Sequence, residues 1–263
     1  MIGGASRDDS SAPPEVHGAR GGQALSTPAE AAHPAAGFRG VIAVDGPSGS
    51  GKSSVCRAVA RRLGLRYLDT GAMYRAVTWA AIDRGLDLDD QPAVAALSRG
   101  LTLGISTDPA APGIAVDGVD VDGPIRTPKI SESVSAIATN LDVRADLIAR
   151  QRAIIADDGG IVAEGRDITT VVAPDADVRL LLTADENARI ARRARELHGT
   201  ADQEALKATH AQIATRDARD STVVDFLVAA DGVVTLDTSA LTFEQVVSTV
   251  LQIVDEQAGA RVR

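Results

Sequence analysis

The chain has 263 residues, 44% of them hydrophobic, with a single cysteine and a net charge of −9. That length accommodates one large domain or a core with inserted subdomains. An acidic balance without a basic stripe argues against nucleic-acid binding, no apolar run approaches the ~18 residues of a membrane span, and Cys56, with no partner for a disulfide or at metal-ligand spacing, fits a reduced, cytoplasmic setting.

Residues 1–37 are rich in Gly, Ala, Pro and Ser and show no apolar period; a disordered tail is expected there, ahead of a domain over 38–256. The tail lacks the apolar segment of a signal peptide, and its acidic residues argue against a transit peptide. "GVIAVDG" then predicts a buried strand that enters a Gly-rich turn. Residues 53–63 have helical apolar spacing, Gly64 is a natural stop, and Cys56 is expected to pack in that helix. "RYLDTG" predicts a short strand and turn, with Thr70 as a plausible cap of the helix "AMYRAVTWAAIDRG". Residues 101–123 alternate in short segments broken by Gly, Pro and Asp, which predicts a small antiparallel sheet. Further on, apolar runs of strand length at 160–165, 178–184 and 233–239 are separated by helical patterns at 143–156, 184–198 and 242–256. Strands alternating with helices imply an α/β fold, a parallel sheet wrapped by helices, carrying the antiparallel piece as an insert.

The turn after the first strand, "DGPSGSGKSS", satisfies G-x-x-x-x-G-K-[ST] between a strand and a helix. Gly46, Pro47, Ser48, Gly49, Ser50 and Gly51 form a loop whose backbone amides can cradle phosphates. Lys52 reaches the outer phosphates, Ser53 and Ser54 open the helix, and the Ser53 hydroxyl can ligate Mg²⁺. The motif specifies a nucleoside triphosphate and is silent about any acceptor. Tyr74 and Arg75 are expected on the first turn of the next helix, at the carboxyl edge of the sheet where such folds bind ligands. "VAEGRDI" ends a buried strand in Glu164, a candidate to hold Mg²⁺ directly or through water. Arg189, Arg192 and Arg193 share one helix face. On spacing alone these arginines also fit a solvated helix paired with Glu186 and Glu196. Likewise Ser135 fits a helix surface, Arg144 fits an exposed pair with Asp142 or Asp146, and Arg216 and Asp220 fit a simple i,i+4 pair. His17, His33, His198 and His210 form no ligand pattern.

"DGPSGSGKSS", "LDTGAMYR", "EGRDI" and "RDARDS", in this order and spacing, resemble the bacterial cytidylate kinases, within the P-loop nucleoside monophosphate kinases, over residues 41–254. The resemblance implies transfer of the ATP γ-phosphate to CMP or dCMP. It implies an acceptor-binding region with its enlarged insert at about 69–150, and a short helical lid at about 187–222. It places Thr70, Tyr74, Arg75 and Arg166 beside the acceptor nucleotide, with Arg75 and Arg166 on its phosphate. Ser135 and Arg144 fall on the cytosine ring, Asp167 on its exocyclic amine, Arg216 on the acceptor's phosphate or sugar, and Asp220 on its ribose hydroxyl. Lys52, Arg166, Arg189 and Arg193 carry the catalytic charge. The implied partners are ATP, CMP or dCMP and Mg²⁺, with neither nucleic acid nor membrane, and a monomer is expected from the lack of a heptad or large apolar stripe. The readings left open are a kinase for UMP or AMP, and a nucleotide-binding protein with weakened transfer. Two positions depart from the family pattern: Val223 stands where an Arg is usual, a contact that Arg219 could supply instead, and Thr169 stands where a Gly is usual.

Overall fold

A computed structural model of the chain describes residues 37–200, 202–224 and 226–261; apart from Gly37, the tail expected at 1–37 lies outside them. In chain order the elements are β1 (Val41–Asp45), α1 (Lys52–Leu63), β2 (Arg66–Asp69), α2 (Thr70–Asp83), α3 (Gln91–Gly100), β3 (Leu103–Ser106), β4 (Gly113–Val116), β5 (Val119–Asp120), α4 (Pro128–Ala138), α5 (Leu141–Ala156), β6 (Ile161–Gly165), β7 (Val178–Thr183), α6 (Glu186–His198), α7 (Gln203–Asp220), β8 (Val234–Asp237) and α8 (Phe243–Arg261). Five strands form one parallel sheet in the order β2-β6-β1-β7-β8.

Both faces of this sheet are covered, which is why its strands read as continuous apolar runs rather than alternating ones. The period of two still sorts side chains between two cores. Ile42, Val44, Val162, Leu180 and Leu182 pack against Val55, Cys56 and Val59 of α1 and Val247, Val250 and Leu251 of α8. Ala43, Leu68, Ile161 and Ala163 face the other way, onto Met73 and Val77 of α2 and Val143 and Leu147 of α5. Each fully buried Val, Leu or Ile contributes about 1.5–3 kcal/mol, so a chain nearly devoid of aromatics still fills two cores. Cys56 is a packing residue: burial, then the charge of Glu164, pushes its thiol well above the ordinary range and leaves it unreactive. Among the described residues no helix is long and apolar enough to cross a membrane.

The antiparallel insert is present as β3-β4-β5. Its β4–β5 connection is Asp117–Gly118, with φ of 48° and 83°. Positive φ at both central residues is the tight hairpin turn that Asp-Gly favours. Ile114 and Val116 of the insert join the α2 side of the core.

Helix starts correct several sequence expectations. Asp69, not Thr70, caps α2, its carboxylate accepting from the Ala72 amide at 2.9 Å. Thr70 is already helical, so Tyr74 and Arg75 lie on the second turn rather than the first. Asn140 caps α5 from the Asp142 and Val143 amides, starting that helix at Leu141. Asp185 caps α6, which therefore begins at Glu186. Helix α3 was not expected; its signal was Asp90 as cap and Pro92 in the first turn, masked by a short, Ala-rich apolar period.

Candidate active site

The parallel strands all end on one side, and the loops leaving β1, β2 and β6 meet there. Pairing sets Val44 opposite Glu164 and Asp69 opposite Glu164, so the carboxyl ends of three neighbouring strands deliver two acids and the phosphate loop to one place.

The loop conformation depends on glycine. Gly46 has φ 151°, and a Cβ there would lie 2.1 Å from the Leu182 carbonyl; at Gly49 (φ 78°) it would lie 2.6 Å from the Arg189 carbonyl. Side chains are thus excluded where the loop presses on β7 and α6. Gly51, in the left-handed region, starts α1 with no side-chain cap, leaving the first helical amides for an anion. Lys52 folds back, its Nζ donating to the Pro47 carbonyl at 3.1 Å. Ser50 is buried, and its carbonyl accepts from Arg192 and Thr238. Ser48, Gly49, Gly51, Lys52, Ser53 and Ser54 line a cavity of about 340 Å³, together with Asp69, Arg75, Glu164, Arg166 and Arg193. Gly46, Pro47 and Ser50 shape the loop from behind rather than lining that cavity.

Glu164 is a buried carboxyl, and Asp69 beside it is partly buried. Burial, then the neighbouring Asp69 charge, pushes the Glu164 carboxyl above its usual range. Burial opposes the Asp69 charge too, but the Arg75 guanidinium at 3.0 Å and the Ala72 amide outweigh it and hold the carboxyl low. Tyr67 donates its hydroxyl to Glu164 Oε1, and burial keeps that phenol protonated. Ser53 lies beside the same Glu164 carboxyl. A hydroxyl and two carboxylates with hard oxygen donors, beside a phosphate cradle, suit Mg²⁺, which takes one or two carboxylates along with phosphate oxygens. Among the described residues no cluster of three or more His, Cys, Asp or Glu is placed to hold a metal by itself.

A second, smaller cavity of about 60 Å³ adjoins this one. Thr70, Tyr74, Arg144, Arg166, Asp167 and Asp220 supply its polar wall, and Val134, Ala138, Val223 and Val224 its apolar wall. Thr70 donates to the Glu164 carbonyl at 2.7 Å. Arg144 pairs with Asp167 and not with Asp142 or Asp146; Asp146 is taken by Arg150 and Ser98. Burial, opposed by Arg144, raises the Asp167 carboxyl. Ser135 is buried, not on a surface, and donates to Asp220 at 2.9 Å. Asp220 also pairs with Arg166 Nε at 3.1 Å. Arg216 lies in α7, and its side chain falls outside the described residues.

The three arginines of α6 do not act as one face. Arg189 donates to the Ser48 carbonyl at 3.1 Å and to Asp217 at 2.6 Å. Arg192 is a tether, bonded to the Thr238 hydroxyl (2.8 Å) and carbonyl (2.7 Å). Arg193 lines the main cavity and a neighbouring one of about 360 Å³, which Arg219 also lines. Glu186 pairs with exposed His210 rather than with an arginine. Sequence reasoning gave no role to Asp69, Arg126 or Asp217. Asp69 and Asp217 sit inside quoted segments, "LDTGAMYR" and "RDARDS"; Arg126 lines the main cavity, but nothing in "GPIRTP" marks it.

Thr169, at a position where the resemblance led to an expected Gly, has a defined place. Its amide and hydroxyl both donate to Asp45 Oδ2, at 2.8 and 2.6 Å, while the Ile168 amide donates to Oδ1 at 2.9 Å. Asp45 is the last residue of β1, directly before the phosphate loop. Thr169→Val keeps the shape and removes one donor to a buried carboxylate. It is expected to cost about 1–3 kcal/mol of stability, read as a lower thermal midpoint.

The family model for cytidylate kinase matches residues 42–256. The chain belongs to the cytidylate kinase family. It is 46% identical over 223 residues to a cytidylate kinase of Streptomyces avermitilis, covering 84% of this chain and 95% of that one. A cytidylate kinase of Streptomyces coelicolor is 48% identical over 223 residues, at 84% and 95% coverage, and one of Rhodococcus opacus 46% over 220 residues, at 83% and 96%. Val223 lines the cavity of about 60 Å³, whereas Arg219 lines the one of about 360 Å³.

Proposed function

We propose that the protein transfers the γ-phosphate of ATP to CMP or dCMP, giving CDP or dCDP. The observation that carries this reading is the union of a phosphate loop, the cavity arginines Arg75 and Arg166, and a paired Arg144–Asp167 wall in adjoining cavities. The acceptor atom is a phosphate oxygen, already anionic near neutral pH, so alignment and charge stabilisation do the chemistry and no strong base is needed. The loop amides and Lys52 take the donor phosphates. Arg75 and Arg166 hold the acceptor phosphate, with Thr70 and Tyr74 beside it. Arg189 and Arg193, on the lid we assign to residues 187–222, neutralise charge around the transferring group. Ser53 and Glu164, with Asp69, would hold Mg²⁺, which supplies neutralisation of the phosphate oxygens when bound.

Within the acceptor region we assign to 69–150 and 165–167, Arg144 and Asp167 present a donor and an acceptor side by side. Cytosine offers the complement: ring N3 and O2 accept, and the exocyclic amine donates. Uracil places a carbonyl against Asp167, which leaves a buried carboxylate unmatched. Ser135 completes the ring contacts, and Asp220 and Arg216 take the sugar and phosphate. Purified protein is to be tested with ATP, Mg²⁺ and a panel of CMP, dCMP, UMP and AMP, with ADP and product quantified. CMP or dCMP is expected to give the highest kcat/KM. UMP or AMP used far better would replace the reading by another kinase, and no ADP above background would replace it by a nucleotide-binding protein. A cytoplasmic monomer belongs to the same proposal, checked by fractionation and sedimentation.

Val223 gives a finer test. An arginine there would face Asp167 and Asp220 on the wall of the smaller cavity. Val223→Arg is expected to lower KM for CMP severalfold; an unchanged or higher KM would mean that the existing cations already satisfy the acceptor.

A further inference from the structure

We infer that Asp217 is a positioning residue that holds the acceptor-side and lid-side arginines with one carboxylate. The inference rests on the kinase reading above. Asp217 lies on α7 with only 8% of its surface exposed. Its two oxygens are divided: Oδ1 accepts from Arg166 Nη1 at 2.9 Å and Oδ2 from Arg189 Nη1 at 2.6 Å. Those arginines come from different elements. Arg166 follows β6 and stacks on the Phe226 ring at 4.2 Å. Arg189 comes from α6, which presses its backbone on Gly49 and donates to the Ser48 carbonyl.

A continuous chain therefore runs from the phosphate loop through Arg189, Asp217 and Arg166 to the end of β6, beside Glu164. A guanidinium is a planar fork: Asp217 holds one nitrogen of each arginine, and a second contact sets the orientation, Nε to Asp220 and the Phe226 ring for Arg166 and the Ser48 carbonyl for Arg189. A single buried carboxylate shared between two forks fixes them relative to each other. Neither arginine then needs to search for its place when the phosphates arrive, which is where alignment lowers a transfer barrier. The same bridge ties the seating of α6 on the donor loop to the arginine that meets the acceptor. Transfer to CMP is thereby favoured over transfer to water. Arg216 and Asp220 flank Asp217 in the sequence, and only the fold singles out the acid between them.

Asp217→Asn tests this, because it keeps the shape and the Oδ1 acceptor but loses the charge and one of the two bonds. The unsubstituted protein is assayed first with ATP, Mg²⁺ and CMP; if it forms no CDP, the kinase reading fails, whatever the variant does. Given an active parent, Asp217→Asn is expected to lower kcat at least tenfold with KM for CMP within threefold, and to raise the ratio of ADP to CDP above the parent's. Asp217→Ala is expected to regain activity with added formate, which can fill the emptied carboxylate site. An unchanged kcat overturns the inference. So does a lower kcat with the ADP to CDP ratio unmoved and no formate rescue, since a purely structural acid would behave that way.

Discussion

Lys52→Ala is expected to lower kcat by about 10²–10³-fold, the usual effect of removing one preorganised donor from developing charge, while leaving the fold intact. The loop is shaped by Gly46 and Gly49, which press on the backbones at Leu182 and Arg189, and by Ser50, which is held by Arg192 and Thr238. Within that scaffold Lys52 donates to the Pro47 carbonyl, a bond 3.1 Å long and only part-buried, and its charge acts on Asp69 and Glu164. Its role is therefore electrostatic: an ammonium in the cavity that also holds Asp69 and Glu164. Steady-state kinetics with ATP and CMP, alongside a thermal melt, checks both halves. An activity within threefold of the parent would remove the phosphate loop from the reaction.

Arg166→Ala is expected to lower kcat/KM for CMP by about 10³-fold or more, the range for an arginine that neutralises a transferring phosphoryl group. Unlike Lys52, Arg166 also supports the structure. It bonds Asp217 at 2.9 Å and Asp220 at 3.1 Å and stacks on Phe226 at 4.2 Å. Removing it leaves two buried carboxylates with a partner fewer, so the melting midpoint falls as well. Arg166→Lys separates the effects. The ammonium keeps the charge beside the two acids but loses the planar fork, so stability returns further than activity does. If KM for ATP rises and KM for CMP does not, Arg166 serves the donor side and the acceptor assignment is wrong.

Lys52 and Arg166 differ in how far local sequence reveals them. The phosphate loop is readable because its function is written in local geometry: glycines where the chain needs positive φ, then a lysine and a serine at a helix start. The parallel sheet is readable because strands covered on both faces must be continuous apolar runs. The antiparallel insert is readable from its Asp-Gly turn and short alternating segments. Asp69 and Thr70 can both cap a helix, and only the Ala72 amide, donating to Asp69, reveals which does. Arg189, Arg192 and Arg193 share one helical face by spacing, yet they end on Asp217, Thr238 and the cavity wall, since neighbours from β8 and α7 choose among them.

The donor side is legible in the amino-acid order alone: a nucleotide phosphate cradle between a strand and a helix, within a parallel α/β core. The family is legible there too, through segments whose order and spacing are specific. Which charges pair around the site follows from the packed fold. Arg144 meets Asp167 across 23 residues, Arg166 meets Asp217 across 51, and Ser135 meets Asp220 across 85. Local rules reach a turn of helix or a pleat of strand. The pairing of side chains so far apart depends on which strand ends and which helices the packed cores bring together.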